Sequence, residues 1–296
     1  MSTVLEAGIA RQLAAGGLDA ADVVSLIRGA IAEDLDGGED VTSVATIPAN
    51  QRSALDLVAR QDGVTSGAWV AAAVFDVVSR QDADIQVHVS DGSPVTEGEL
   101  LLTITGRTRD LLLGERTALN FLGHLSGIAT ATNAWAQALE GTSAKVRDTR
   151  KTTPLFRKLE KYAVRCGGGV NHRMALSDAA LVKDNHIVAA GGVRQAFEAV
   201  RAKFPGIAVE VEVDNNLQLR EVLEAGADLV LLDNYTLEGM REAVAINGGR
   251  ARLEASGGLT LENANAVGRT GVDFIAVGAL THSARVLDIG ADLRSL

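Results

Sequence analysis

The chain holds a single cysteine, Cys166, in 296 residues. An internal disulfide is therefore impossible, and nothing resembles a thiolate metal site. Cys166 is either a reactive thiol or an ordinary reduced cysteine, and the ordinary reading is the expectation. The five histidines show neither HExxH nor any other clustered ligand spacing, which argues against zinc hydrolysis. No apolar run approaches the ~20 residues that a membrane-spanning helix needs. The N-terminus, MSTVLEAGIARQLAAGGLDAADVV, lacks the cationic start and apolar core of a secretion signal. A soluble, cytoplasmic protein with no membrane role is expected. Aromatic residues amount to only 3% and the formal charge is −10. Nucleic-acid binding, which calls for a broad basic face with stacking rings, is not expected.

Against this acidic background stands one cationic stretch, Lys145–Arg173, reading KVRDTRKTTPLFRKLEKYAVRCGGGVNHR. It carries nine Lys/Arg against Asp148 and Glu160, a local +7, so the remaining residues sum to −17. Cations gathered beside glycines face anions, and a small, highly charged metabolite fits best. Lys158 and Lys161 sit on a helical segment and are expected to be solvated.

A hydrophobic content of 47% supplies a substantial core for one large or two ordinary domains. The first part mixes helical periodicity (Ala20–Leu35, Ala68–Arg80) with strand-like stretches at Ala54–Arg60, Ile85–Ser90 and Leu100–Thr105. VHVSDGSPVTEGELLLTITG alternates around DG and EG turns as hairpins do. A lipoyl-type carrier module would look similar, but the exposed lysine it modifies is missing. Gly114–Gly141 reads as a helix joining two domains.

Beyond it one design recurs: a short apolar strand, a polar or glycine cluster, a helix. The strands read Lys145–Asp148, Ala179–Val182, Ala208–Val213, Leu229–Leu232, Arg252–Ala255 and Phe274–Val277. Such alternation implies a parallel sheet with right-handed crossovers. Six units suit a small or incomplete α/β barrel better than a full eight-stranded one. Parallel strands are buried on both faces, so charges gather at their ends, and in barrels the carboxyl ends share one mouth. That places Arg150, Lys151, Lys183, Glu212, Asp233, Ser256 and Gly278 together.

Ser256-Gly257-Gly258 and Gly278-Ala279 end the last two strands, where backbone N–H groups can approach a phosphate closely. Arg150, Lys151, Arg173 and Lys183 suit carboxylates or phosphates, each charge-assisted bond contributing roughly 1.5–3 kcal/mol. Glu212 and Asp233 can hold a divalent cation, grip ribose hydroxyls or stabilise developing positive charge. Alternatively, each simply pairs with Lys183 or Arg150. His172 can donate to a carboxylate, while His124 and His282 read equally as packing or capping residues.

The motifs ERTALNFLGHLSGIAT, RDTRKTTP, EKYAVRCGGGVNHR, LVKDNH, EVEVD, LLDN, SGG and AVGALTHS, in this order, resemble the quinolinate phosphoribosyltransferase family. The resemblance runs from Glu33 to the C-terminal segment. It implies an α/β N-terminal domain (1–126, completed by 284–296) beside an incomplete parallel α/β barrel of about six strands (127–283), a type II phosphoribosyltransferase-like fold. It also implies a homodimer with shared sites, in which Arg116 reaches the partner's pocket. Thr149, Arg150, His172, Arg173 and Lys183 match the quinolinate pocket, and Lys151 lies between substrate and pyrophosphate. Glu212 and Asp233 match carboxylates around ribose and the pyrophosphate that carries Mg²⁺. Ser256, Gly257, Gly258, Val277, Gly278 and Ala279 match the cradle for the 5′-phosphate. Leu155 departs from the family, which usually has glycine after RKTTP.

The activity implied is transfer of phosphoribose from phosphoribosyl pyrophosphate to quinolinate with decarboxylation, giving nicotinate mononucleotide. Lys151, Glu212 and Asp233 are the expected catalytic groups. Two rivals are a paralogous pyrophosphorylase acting on another ring acid, of the type associated with molybdate transport, and a non-catalytic phosphate-metabolite sensor.

Overall fold

Residues 5–296 are described by a computed structural model and fall into two units. The first comprises residues as far as Ala131, Lys158–Gly168 and Ala284–Leu296; the second comprises Thr132–Arg157 and Gly169–Ser283.

In the first unit lie α1 (Ala7–Ala15), α2 (Ala20–Leu35), α3 (Val41–Thr46), β1 (Arg52–Ala59), β2 (Gly63–Val64) and α4 (Ala68–Ser79). β3 (Asp84–Val87), β4 (Pro94–Val95), β5 (Leu100–Arg107), most of α5 (Thr108–Ala138), nearly all of α6 (Arg157–Cys166) and β12 (Ile289–Ser295) complete it. Glu6, Asp19 and Asp40 begin α1, α2 and α3 by accepting amide protons of the first turn. The main sheet is antiparallel, in the order β12-β1-β5-β3. Leu55, Leu57, Leu102 and Ile104 are fully buried on it, each contributing about 1.5–3 kcal/mol. α4, rich in alanine and valine, is buried along its length except at Trp69.

α5 begins at Thr108, six residues before the expected Gly114. Gly114 lies inside the helix, where an added Cβ would come to 3.0 Å from the Phe75 ring. It is a contact point, not an end. No helix among the described residues is long and apolar enough to cross a membrane.

The second unit alternates strands and helices: β6 (Lys145–Arg147), β7 (Ala179–Val182), α7 (Asp184–Ala190), α8 (Val193–Lys203), β8 (Ala208–Val213), α9 (Asn216–Glu224) and β9 (Leu229–Asp233). α10 (Leu237–Asn247), β10 (Arg252–Ser256), α11 (Leu261–Gly268), β11 (Phe274–Ala276) and α12 (Ala279–His282) follow. All six strands are where the sequence predicts, to within one residue. They form one parallel sheet in the order β6-β11-β10-β9-β8-β7.

The sheet is curled. Arg147 on β6 lies 3.7 Å from Glu210 on β8, four strands away in the sheet order. At about 4.8 Å per strand, a flat sheet would hold those strands about 19 Å apart. β6 and β7 remain the two ends of the sheet, so the barrel is open. Alternation sorts the side chains: Val209, Val211 and Val213 of β8 face outward and are buried, while Glu210 and Glu212 face inward. Glu254 and Ser256 of β10 and Asp233 of β9 share that inner face, with Ser256 paired in register with Asp233.

Candidate active site

The cationic stretch does not stay together when it folds. Arg147 turns inward onto Glu254 at 2.6 Å and over the Phe274 ring. Lys158 pairs with Asp22, and Arg165 donates to the carbonyl of Gly16. Lys161, expected to be solvated, is fully buried, on the same helix as the buried Leu159, Glu160, Ala163 and Val164. Arg157 braces its own loop through Thr152 and the carbonyl of Met174. Arg150, Lys151 and Arg173 remain at the strand ends.

Arg150 and Arg173 sit close enough to repel. Burial first, and then the Arg150 charge, press the Arg173 guanidinium below its ordinary value. The Nε of each arginine is buried and carries no hydrogen bond. Arg173 donates Nη1 to the carbonyl of Ala179 at 2.9 Å, a neutral partner. Two adjacent guanidinium groups with unused buried donors form a receiver for a carboxylate or phosphate.

Lys183, at the start of α7, reaches Glu212 across the end of β8, Nζ to Oε2 at 3.0 Å. Asp233 accepts from Asn234 at 2.7 Å. The simple pairing weighed for Glu212 is therefore present. Both acids are held at the ends of neighbouring strands on the inner face. Thr149 accepts the N–H of Lys151 at 3.0 Å, and Thr281 donates to the Lys151 carbonyl.

The glycine ends differ. Gly257 has φ +88, and an added Cβ would fall on Asn234 Oδ1, so only glycine fits there. The helix after this loop is already capped, because Thr260 and Asn263 form a capping box. At the next strand end, α12 starts at Gly278 with no side-chain cap. Arg116 is exposed on α5 in the first unit.

Under the mouth His172 joins a buried cluster whose other members, Glu210, Glu254 and Arg147, sequence reasoning missed. His172 Nε2 is 2.7 Å from Glu210 Oε2 and 3.8 Å from Glu254 Oε1. Arg147 closes the group against both glutamates. Burial, then the Glu210 charge, push the Glu254 carboxyl up to about 8. Among the described residues, His172, Glu210 and Glu254 form a group that could ligate a cation. Arg147 already supplies the positive charge there, which makes a structural ion pair the better account. A signal was available: if Glu212 faces the mouth, Glu210 two residues earlier faces the interior below it.

Burial pushes the Cys166 thiol above its ordinary value, which supports the unreactive reading.

The open barrel, with two arginines close together beside its strand ends, places the chain in the α/β-barrel class. Comparison with known proteins specifies it further. Residues 128–292 match the family model for the quinolinate phosphoribosyl transferase C-terminal domain, and residues 40–126 match that for the N-terminal domain. The chain is 51% identical over 271 residues to nicotinate-nucleotide pyrophosphorylase [carboxylating] of Mycobacterium leprae, covering 90% of this chain and 95% of that protein. It is 40% identical to the probable enzyme of that name from Bacillus subtilis, covering 88% and 90%. The crystal structure of NadC from Streptococcus pyogenes superposes with TM-score 0.89 at 40% identity, covering 93% and 97%. The chain belongs to the quinolinate phosphoribosyltransferase family.

Proposed function

We propose that this chain transfers phosphoribose from phosphoribosyl pyrophosphate to quinolinate and releases CO₂, forming nicotinate mononucleotide for NAD biosynthesis. The adjacent Arg150 and Arg173, with buried and unused Nε donors, carry this reading. Quinolinate brings two carboxylates and the cosubstrate brings phosphates, which explains a cationic mouth in an acidic chain.

In this reading Arg150 and Arg173, together with Thr149 and Lys183, hold the ring acid, and His172 supports them from below. The pyridine nitrogen attacks the ribose carbon, and the bond to pyrophosphate breaks. Glu212 and Asp233, fixed at adjacent strand ends, stabilise the positive charge that develops on the ribose. Lys151 offsets charge on the departing pyrophosphate. The loop Ser256–Gly258 and the segment Val277–Ala279 hold the 5′-phosphate through main-chain N–H groups. With the ring nitrogen cationic, the bond from C2 to its carboxylate breaks, the electron pair stays at C2, and a proton replaces CO₂.

Glu212 and Asp233 are hard oxygen donors whose Oε2 and Oδ2 already accept from Lys183 and Asn234. This set fits Mg²⁺ reached through pyrophosphate oxygens better than an ion caged by protein alone. When bound, Mg²⁺ neutralises part of the leaving-group charge. The working form is a homodimer in which the N-terminal domain (1–126 with 284–296) of one chain covers the barrel (127–283) of the other and contributes Arg116.

The test is direct. Incubation with quinolinate labelled in its 2-carboxylate, phosphoribosyl pyrophosphate and Mg²⁺ is expected to release labelled CO₂ and nicotinate mononucleotide in equal amounts. Binding without turnover would favour the sensor, and turnover of a different ring acid alone would favour the paralogue.

A further inference from the structure

Both ring nitrogens of His172 are engaged within the protein. Nδ1 accepts the main-chain N–H of Arg173 at 2.7 Å. A nitrogen that accepts carries no proton, so these partners assign the proton to Nε2, which faces Glu210 Oε2 at 2.7 Å. The ring therefore stands as a strut between a strand carboxylate and the main chain of Arg173. Ionisable groups face it from several elements: Glu210 from β8, Glu254 from β10, Arg147 from β6, and Asp148 and Arg173 on the adjoining segments.

The same segment is pinned a second time. The N–H of His172 and the amide of Asn171 donate to Asp148, at 2.8 and 2.6 Å. Asp148 fixes where residues 171 and 172 run, and Glu210 fixes how the ring, and with it residue 173, is turned. Glu210 is 3% exposed, and its other oxygen, which makes no hydrogen bond, faces the Arg147 charge at 3.7 Å.

We propose that Glu210 is a positioning residue of the ring-acid pocket: through His172 it sets the main chain of Arg173, and so the direction in which that guanidinium meets the substrate. This rests on the functional reading above. The fork of an arginine matches a carboxylate in only a narrow range of directions, so a tilt at residue 173 is felt in binding. Because the arginine grips the ring acid and not the phosphoribosyl donor, the effect falls on one substrate.

Kinetics of Glu210→Ala and Glu210→Gln in the full chain, with each substrate varied separately, test this. In Glu210→Ala the KM for quinolinate is expected to rise about ten-fold or more, with KM for phosphoribosyl pyrophosphate within about two-fold of the parent. Glu210→Gln, whose amide oxygen still accepts from Nε2–H, is expected to return quinolinate KM to within about three-fold of the parent. An unchanged quinolinate KM in a folded Glu210→Ala, or an equal rise for both substrates, overturns the proposal. Should Glu210→Ala fail to fold, ¹⁵N-histidine NMR of the unmodified chain at pH 7.5 decides. The His172 signal, identified by its absence from His172→Gln, is expected to be the Nε2–H tautomer; a proton on Nδ1 overturns the proposal. An unmodified chain that releases no CO₂ from quinolinate would count against the functional reading, and the tautomer would still be decided separately.

Discussion

Thr281 donates its hydroxyl to the main-chain carbonyl of Lys151 at 2.7 Å, a bond between residues 130 apart in sequence. It ties the loop after β6 to the turn after β11. Beside it, an alanine Cβ at position 278 would lie 2.9 Å from Lys151 Cδ and 3.3 Å from His282 Nε2. The backbone there, φ −66, accepts any residue, and the exposed lysine side chain is free to swing aside. Gly278→Ala is therefore expected to leave stability within about 0.5 kcal/mol of the parent in urea unfolding. Its kcat/KM for phosphoribosyl pyrophosphate is expected to fall about ten-fold, because Lys151 is displaced. Unaltered kinetics would remove Lys151 from the pyrophosphate site.

Truncating either paired arginine removes a preorganised charge donor. Arg150→Ala and Arg173→Ala are each expected to lower kcat/KM for quinolinate roughly 10²–10³-fold. Near-normal kinetics in both variants would dismantle the pocket assignment.

Arg116 lies on α5 of the first unit, and the proposed dimer gives it a place in the partner's site. Chains carrying Arg116→Ala and Arg150→Ala, each inactive alone, are expected to regain activity when unfolded together and refolded. Proven mixed dimers without activity would place the whole site in one subunit.

Glu254 predicts a pH dependence of folding. Its folded-state value of about 8 exceeds the ordinary 4.5. Between these limits the folded chain binds more protons than the unfolded chain. Stability therefore declines as pH rises from 4.5 towards 8, by at most about 1.4 kcal/mol per pH unit from this group. Glu254→Gln is expected to flatten that decline in denaturant unfolding measured from pH 5 to 8. An unchanged slope would mean that Glu254 is ionised throughout.

Leu155 occupies the position where the family usually carries glycine, and it takes φ +68 with its side chain 86% exposed. A left-handed backbone costs a branched residue about 1–2 kcal/mol, while glycine loses about 0.5–1 kcal/mol more entropy on folding. Leu155→Gly is expected to stabilise the chain by up to about 1 kcal/mol in chemical unfolding. A loss of stability would reveal packing by this leucine in the assembled protein.

The parallel strands were legible because each is a short apolar run closed by glycine or charge, a pattern that helices of this length do not share. The contents of the barrel were not. Ala208–Val213 reads as a parallel strand with Glu212 at its mouth end, but Glu210, buried on the same inward face two residues earlier, carries no such strand-end signal. The buried face of β8 is the valine face, packed under helices, while the lumen tolerates charge because Arg147 reaches into it. Lys161 shows a similar limit: net charge along a helix does not reveal which cations face solvent. Glu212, by contrast, stands at the end of β8 as the strand pattern predicts. The link through His172 joins residues from three distant segments, and only folding brings them into register.

β1 pairs along seven consecutive residues with β12, and α6 also belongs to the first unit although β6 precedes it. The first unit is thus written in three instalments, with most of the second unit between the last two. During synthesis the amino-terminal sheet must wait with an open edge while the β/α repeats emerge and fold. The edge of β1 is filled last, by the strand made last, so the amino-terminal sheet is finished only after the β/α repeats have been made.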